Sequence, residues 1–165
     1  MKWLIPKSSS FYCKPLTFSI TPPPQTVPKK ESIGFVFPGQ GAMFPGMGKF
    51  FKDSPSFQYF FRLSDLLLQP KGFPSVSNYA FSPERLTLEQ QESVESIALF
   101  TYEIALTHKL LQDGVSAQAF TGHSFGEYAA LTAAGAMSFE EGLQAVATRE
   151  SLLPERNSLG YMIAI

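Results

Sequence analysis

From Ile33 onward, hydrophobic and polar positions alternate between two periods. The unbroken apolar run Ile33 to Phe37, IGFVF, predicts a short buried strand. Asp53 or Ser54 is placed to cap a helix with Pro55 in its first turn and Phe57, Phe60, Phe61 and Leu67 on its apolar side. Residues 70–83 hold Pro70, Gly72, Pro74 and Pro83 and read as loop. A long helix is predicted from about Glu89 to Gln112, with Val94, Ile97, Ala98, Ala105 and Leu110 among its apolar positions and Gly114 ending it. AQAF, starting at Ala117, is a second strand candidate leading into Gly122, and a helix then runs to Ala134 and closes on Gly135. SFEE, Ser138 to Glu141, is a capping box for a further helix that Pro154 stops. GYMIAI, at 160–165, reads as the start of one more strand. Strands alternating with helices predict α/β architecture with a parallel sheet.

The first thirty residues break the pattern. They carry five lysines, four serines, no acidic residue and the triplet Pro22, Pro23, Pro24, which no packed element tolerates. The apolar patch at the start is interrupted by Pro6 and Lys7, too short for a secretory signal. Basic, serine-bearing and acid-free is the composition of an organellar transit segment, with a plain disordered tail as the alternative. The expected division is a leader over 1–31 and one domain over 32–165.

Composition narrows the functional classes. With 44% hydrophobic and 16% charged residues among 165, the chain is globular and has room for one core of ordinary size. A formal net charge of −1 gives no footprint for nucleic acid or an anionic membrane. Cys13 is the single cysteine, so no internal disulfide forms, and no His/Cys cluster has metal spacing. No apolar run approaches the length of a membrane span, which predicts a soluble chain without membrane insertion.

Two glycine-rich turns carry the candidate chemistry. FVFPGQGAMFPGMG, Phe35 to Gly48, follows the first strand as a phosphate-binding loop would. Gly39 and Gly41 begin a dinucleotide fingerprint, but Phe44 stands at its third glycine and no G-K-[ST] follows, so a nucleotide cofactor is disfavoured. A bare structural turn would explain the glycines and leave Gln40 without a role. GHSFG, Gly122 to Gly126, matches G-x-S-x-G between a predicted strand and a predicted helix, the setting of a nucleophile elbow. There the Ser124 hydroxyl is pushed into the open, and the free N–H groups of the following helix favour developing negative charge. His123 is adjacent but badly placed as a base, since neighbouring side chains diverge along extended chain. His108, late in the long helix, reads as a surface or helix-end residue.

At these residues the sequence resembles the malonyl-CoA:acyl-carrier-protein transacylases. FVFPGQG, GHSFGEYAAL and GAMSFEEGLQAVATRES fall in that family's order, and the resemblance covers Gly34 to Ile165. The style of GAMSFEEGL is nearest the discrete enzymes, mitochondrial ones included, although the motifs also occur in acyltransferase domains of fatty acid and polyketide synthases. The resemblance implies an α/β-hydrolase-like large subdomain with a short parallel sheet, cut at the start of a ferredoxin-like small subdomain. It implies transfer of malonyl from malonyl-CoA to the phosphopantetheine arm of acyl carrier protein in fatty acid biosynthesis, with no cofactor and no metal. Ser124 would form the acyl-enzyme. The backbone N–H groups of Gln40 and Phe125 would receive the oxyanion, which makes PGQG a donor loop, and Arg149 would grip the malonyl carboxylate. Ala42 and Met43 stand where the family often has Ser-Gln, and Glu95, Ser96 and Ile97 where it commonly has Gln-Pro-Ala, so a different pocket wall is expected. The family's catalytic histidine belongs to a part beyond Ile165. A truncated, non-catalytic binder of acyl carrier protein, or a general serine esterase, are the competing readings, and Gln40 with Arg149 argue against the esterase.

If residues 1 to about 30 address an organelle, fusing them to a fluorescent reporter sends it to mitochondria or a comparable organelle. A uniformly cytosolic reporter would leave only the plain tail.

Overall fold

The computed structural model describes residues 32–153. The leader over 1–31, the stop at Pro154 and the strand expected in GYMIAI lie outside them. In chain order the elements are strand β1 (Ile33–Phe37), helices α1 (Pro55–Leu68), α2 (Val76–Phe81) and α3 (Leu88–Gln112), strand β2 (Ala117–Gly122), then helices α4 (Gly126–Ala133) and α5 (Phe139–Leu152). Short 3-10 turns cover Met47–Phe51, Gln69–Lys71 and Pro83–Arg85. β1 and β2 pair in parallel through the long helical crossover, as the alternation predicts.

The register shifts by one residue between Ile33 and Gly34, so that Ile33 faces Ala117 and Gly34 faces Ala119. The skipped Gln118 turns its side chain to the gap and accepts the Ile33 N–H at 2.7 Å. From there the ladder runs in step to Phe37 opposite Gly122, which sets the ends of the two strands side by side. Both site loops start from those ends.

Capping chemistry fixes the helices. Thr87 with Gln90 and Ser138 with Glu141 each form a reciprocal capping box, the second as expected. Ser54 takes the N-cap position of α1, but its side chain makes no cap bond, and the terminus relies on Pro55.

Two expectations are corrected. Residues 70–83 are not loop throughout, because α2 forms between the prolines. Its start is secured from another helix: the Asp65 carboxylate accepts the Val76 N–H at 2.6 Å, the Ser77 N–H at 3.2 Å and the Ser75 hydroxyl at 3.0 Å. Ser75 also caps it locally, accepting the Asn78 N–H at 3.1 Å, a signal outweighed in the sequence by the flanking prolines and Gly72. β1 is also not a buried strand, since only Phe37 is buried and Val36 is 72% exposed. Among the described residues the sheet has two strands, and nothing packs over the face that carries Val36.

The core is aromatic. Phe57 of α1 stacks on Phe51 at 4.6 Å and meets Tyr102 of α3 edge-on at 5.1 Å. Phe139, opening α5, meets Phe60 edge-on at 4.8 Å and stacks on Phe100 at 5.6 Å. These rings tie α1, α3 and α5 together, and each aromatic pair adds about 0.5–1.5 kcal/mol beyond its burial. Of the apolar positions read for α3, Val94, Ile97, Ala98 and Ala105 are fully buried. On α1, Leu68 is fully buried and Leu67 packs half-buried against the core.

α3 also faces β1 across a cavity of about 280 Å³, lined by Phe35, Met47, Leu99, Leu106 and Leu110 together with Glu103. Glu103 is 6% exposed, and neither carboxyl oxygen has a hydrogen-bond partner among the described residues. Burial pushes its pKa from 4.5 up to about 8. Tyr102, on the same wall, is raised above its ordinary 10 by the same cause.

The linkage has a definite sign. An unfolded chain releases the Glu103 proton near pH 4.5, whereas the native protein holds it to about 8. Between those values the native state binds more protons, so this group's contribution to stability falls as pH rises. Urea midpoints of wild type and Glu103→Gln should therefore diverge from pH 5 to 8, with the variant gaining relative stability by a few kcal/mol. Parallel curves would show that the carboxyl is ionised or paired in the native protein.

Candidate active site

The site forms where the two strands end. Beyond β2 the chain makes one tight turn, His123 to Phe125, and enters α4. Ser124 sits at its apex with φ 53°, the only non-glycine residue among those described with a left-handed backbone. That conformation costs a residue with a Cβ roughly 1–3 kcal/mol and persists only where its surroundings impose it.

The surroundings are two glycines. A Cβ on Gly122 would lie 2.2 Å from the backbone of Gly126 and 2.5 Å from the Glu127 nitrogen. A Cβ on Gly126 would lie 2.3 Å from the Phe37 carbonyl oxygen and 2.5 Å from that of Pro38. The first turn of α4 thus packs against the end of β2 and the end of β1 with no room for a side chain. The His123 N–H donates to the Phe37 carbonyl at 3.0 Å and locks the turn to β1.

The loop after β1 closes over the same place. A Cβ on Gly39 would meet the His123 carbonyl at 3.1 Å, its Nδ1 at 3.2 Å and the Ser124 Cβ at 3.7 Å, so the loop lies directly against the elbow. Gly41 takes φ 91° and turns the chain away. Gln40 is held between these glycines. Neither its backbone N–H nor that of Phe125 has a hydrogen-bond partner among the described residues. Phe125 is at the N-terminal cap of α4, where the helix dipole favours negative charge.

Ser124, Phe125, Glu127, Tyr128, Leu131 and Arg149 line an open cleft of about 490 Å³. Arg149 comes from the last turn of α5 and is held on three sides. Its Nη1 pairs with Glu150 at 2.5 Å, its Nη2 donates to the Gln40 Oε1 at 3.3 Å, and its guanidinium lies 5.4 Å from the centre of the Phe125 ring. Of the four residues singled out from the sequence, Ser124, Phe125 and Arg149 line one cleft, and Gln40 joins them through its hydrogen bond to Arg149, 109 positions away.

The two histidines stand apart from this arrangement. His123 is exposed, packs against Gly39, and makes no hydrogen bond to the Ser124 hydroxyl among the described residues. His108 meets the Ser56 hydroxyl at 3.0 Å and the Phe60 ring edge-on at 5.4 Å, at the contact of α3 with α1. Ser96 and Ile97 are buried in α3 and do not line the cleft. The sequence reading missed Glu150, whose side chain is 10% exposed and bears on Arg149. The adjacent opposite charges were its only signal. No group of three or more His, Cys, Asp or Glu among the described residues could hold a metal.

Comparison with known proteins gives the family. Residues 34–165 match the family described as Acyl transferase domain. The norsolorinic acid synthase of Dothistroma septosporum is 38% identical over 133 residues, which cover 79% of this chain and 6% of the synthase. The malonyl CoA-acyl carrier protein transacylase of Bacillus subtilis is 37% identical over 128 residues, 76% of this chain and 38% of the transacylase. Among solved structures, the malonyl CoA-acyl carrier protein transacylase of Clostridium perfringens superposes with a TM-score of 0.64 at 31% identity, over 76% of this chain and 38% of that one. The chain thus spans well under half the length of these relatives.

The glycine contacts are open to a direct test. Gly126→Ala should lower stability by at least the about 1–3 kcal/mol of ordinary overpacking. Gly34→Ala, whose Cβ would meet Ala119 at an ordinary 3.9 Å, should change it by less than about 1 kcal/mol. Equal urea midpoints for the two variants would contradict the packing described.

Proposed function

The chain belongs to the acyl transferase domain family, and from that premise we propose that it carries malonyl on Ser124 between coenzyme A and acyl carrier protein. The observation that carries the reading is the left-handed Ser124 turn facing Arg149 across one cleft. A serine raised on such a turn suits attack on a thioester carbonyl, with the acyl group held as an ester. The N–H groups of Gln40 and Phe125, without a partner among the described residues, are the donors for the oxyanion formed in that attack. Removing one donor of this kind costs about 2.7–4 kcal/mol in the barrier.

Arg149 selects the acyl group. A planar guanidinium binds a carboxylate through two parallel hydrogen bonds, which malonyl offers and acetyl does not. Gln40 and Phe125 hold that guanidinium beside the serine. The same residues thus serve the carboxylate and the carbonyl of one substrate. An esterase has no use for the clamp.

The acceptor is acyl carrier protein, presenting a phosphopantetheine thiol. The setting is fatty acid biosynthesis by a discrete enzyme of mitochondrial type, and no cofactor takes part. An acyltransferase domain of a fatty acid or polyketide synthase is the same chemistry in a different assembly. A cytoplasmic site is the alternative to the mitochondrial one.

A non-catalytic role in binding acyl carrier protein is favoured by one observation. Neither histidine among the described residues hydrogen-bonds Ser124, and acylation at neutral pH needs a base within about 2.6–3.2 Å. Acylation of Ser124 in the 165-residue chain alone is therefore slow.

Single-turnover labelling separates these readings. With radiolabelled malonyl-CoA, wild type should take up one malonyl group slowly and Ser124→Ala none. Arg149→Ala should lose malonyl labelling relative to acetyl by roughly 30-fold or more, the equivalent of losing a buried charge partner at about 2 kcal/mol. Label that persists in Ser124→Ala, or an unchanged malonyl-to-acetyl ratio in Arg149→Ala, would overturn the assignment.

A further inference from the structure

The cleft proposed to hold a carboxylate already carries two of its own. Glu127 lines it beside Ser124, and Glu150 backs it through Arg149. Against them stands one guanidinium, that of Arg149. The two acids are not equivalent. Glu127 is exposed and screened by water, whereas the Glu150 side chain is 10% exposed and its Oε1 lies 2.5 Å from the Arg149 Nη1.

Three observations separate this pair from an ordinary surface contact. Adjacent residues on a helix do not face each other, so the meeting of Arg149 with Glu150 is imposed by the site and not by helix geometry. A glutamate in the last turn of a helix stands at the negative end of its dipole, so α5 itself is not stabilised by Glu150. The guanidinium it meets is also the one that shares the cleft with Ser124, and its Nη2 donates to Gln40 at 3.3 Å. Each terminal nitrogen carries two N–H groups and gives one to these acceptors, which leaves donors for a third.

Displacing Glu150 is the less favourable course. Taking Arg149 away would leave a sheltered carboxylate without its cation, and breaking such a pair is strongly destabilising. An acyl carboxylate therefore shares the arginine with Glu150 and meets a cation whose charge is already balanced.

We propose that Glu150 is a specificity-determining residue of the cleft: by sharing Arg149 with the acyl carboxylate, it holds the preference for malonyl below the limit that the guanidinium alone would set. The inference rests on the reading of Arg149 as the carboxylate clamp. It also gives the pair a use. The grip on the carboxylate is the same in the incoming thioester and in the Ser124 ester, so tightening it speeds neither transfer and turns the acyl-enzyme into a trap. Glu150 offsets that grip. Acyl groups without a carboxylate are indifferent to it.

The test removes the charge and keeps the shape. Glu150→Gln retains a side-chain oxygen to accept from Nη1, so the guanidinium stays aimed. The variant is made in the 165-residue chain on a Ser124→Ala background, where no acylation disturbs the equilibrium, and circular dichroism checks its fold. Isothermal titration calorimetry then gives the affinities for malonyl-CoA and acetyl-CoA. Against its Glu150 parent, the variant should bind malonyl-CoA at least about fivefold tighter and acetyl-CoA within about twofold. The gain should shrink as salt rises, because the Arg149 side chain is 32% exposed and screening reaches it. Malonyl-CoA affinity that is unchanged, weaker or unmeasurable in both proteins would overturn the inference. So would equal tightening of both thioesters, or a gain indifferent to salt. The proposed function is decided separately, by labelling of Ser124 and the Arg149→Ala ratio. Label that behaves as expected there, with no change of affinity here, defeats the role of Glu150 alone. A malonyl-CoA gain here, with no label on Ser124 in wild type, keeps the clamp and its counterweight and removes the transfer.

Discussion

Everything at the cleft depends on one close approach of backbone to backbone. The first turn of α4 lies against the end of β1 so tightly that a Cβ on Gly126 would sit 2.3 Å from the Phe37 carbonyl oxygen. Gly122 meets the same constraint from the strand side. With both positions bare, the chain between them has no relaxed path, and Ser124 takes φ 53°. The strain is local and the support is not, because the Phe37 carbonyl that accepts the His123 N–H comes from a strand more than eighty residues earlier. Burial in the aromatic core of α1, α3 and α5 holds those strands in place.

The same junction sets the electrostatics. β1 ends beside β2, so the loop that follows β1 must pass the elbow, and Gly39 lets it pass in contact with His123 and Ser124. Gln40 then has its amide near the helix terminus and its side chain on Arg149. Glu150 takes one side of that guanidinium and the Phe125 ring another, leaving a cation that is oriented but only partly covered. An anionic group entering the cleft meets a pre-aimed donor, which limits the ordering cost of binding it.

Much of this was legible in the sequence, for physical reasons that differ by element. Both strands, the Ser138–Glu141 capping box and the elbow have local signatures: an apolar run, a hydroxyl three residues before a Glu, a G-x-S-x-G between strand and helix. Gln40 and Arg149 were legible only through a resemblance, since their meeting spans most of the described chain. α2 was missed because Pro70, Gly72, Pro74 and Pro83 read as loop around a short helix whose local Ser75 cap is reinforced from another helix by Asp65. The exposure of Val36 was missed because an apolar run reports that a strand has a buried face to fill, not that the face is filled. Glu103 was missed because a glutamate within a helix is read as solvated surface, and only the fold turns it inward.

The central claim is that Ser124, the Gln40 and Phe125 amides and Arg149 act on one substrate in one cleft. A crystal structure of the chain treated with a serine-directed phosphonate bearing a terminal carboxylate tests it most directly, because the phosphorus centre mimics the tetrahedral intermediate. The account predicts phosphorus bonded to the Ser124 Oγ, one phosphonyl oxygen about 2.7–3.1 Å from both the Gln40 and Phe125 nitrogens, and the carboxylate bidentate on Arg149. An adduct whose oxygen points away from both amides, or whose carboxylate ignores Arg149, would contradict it.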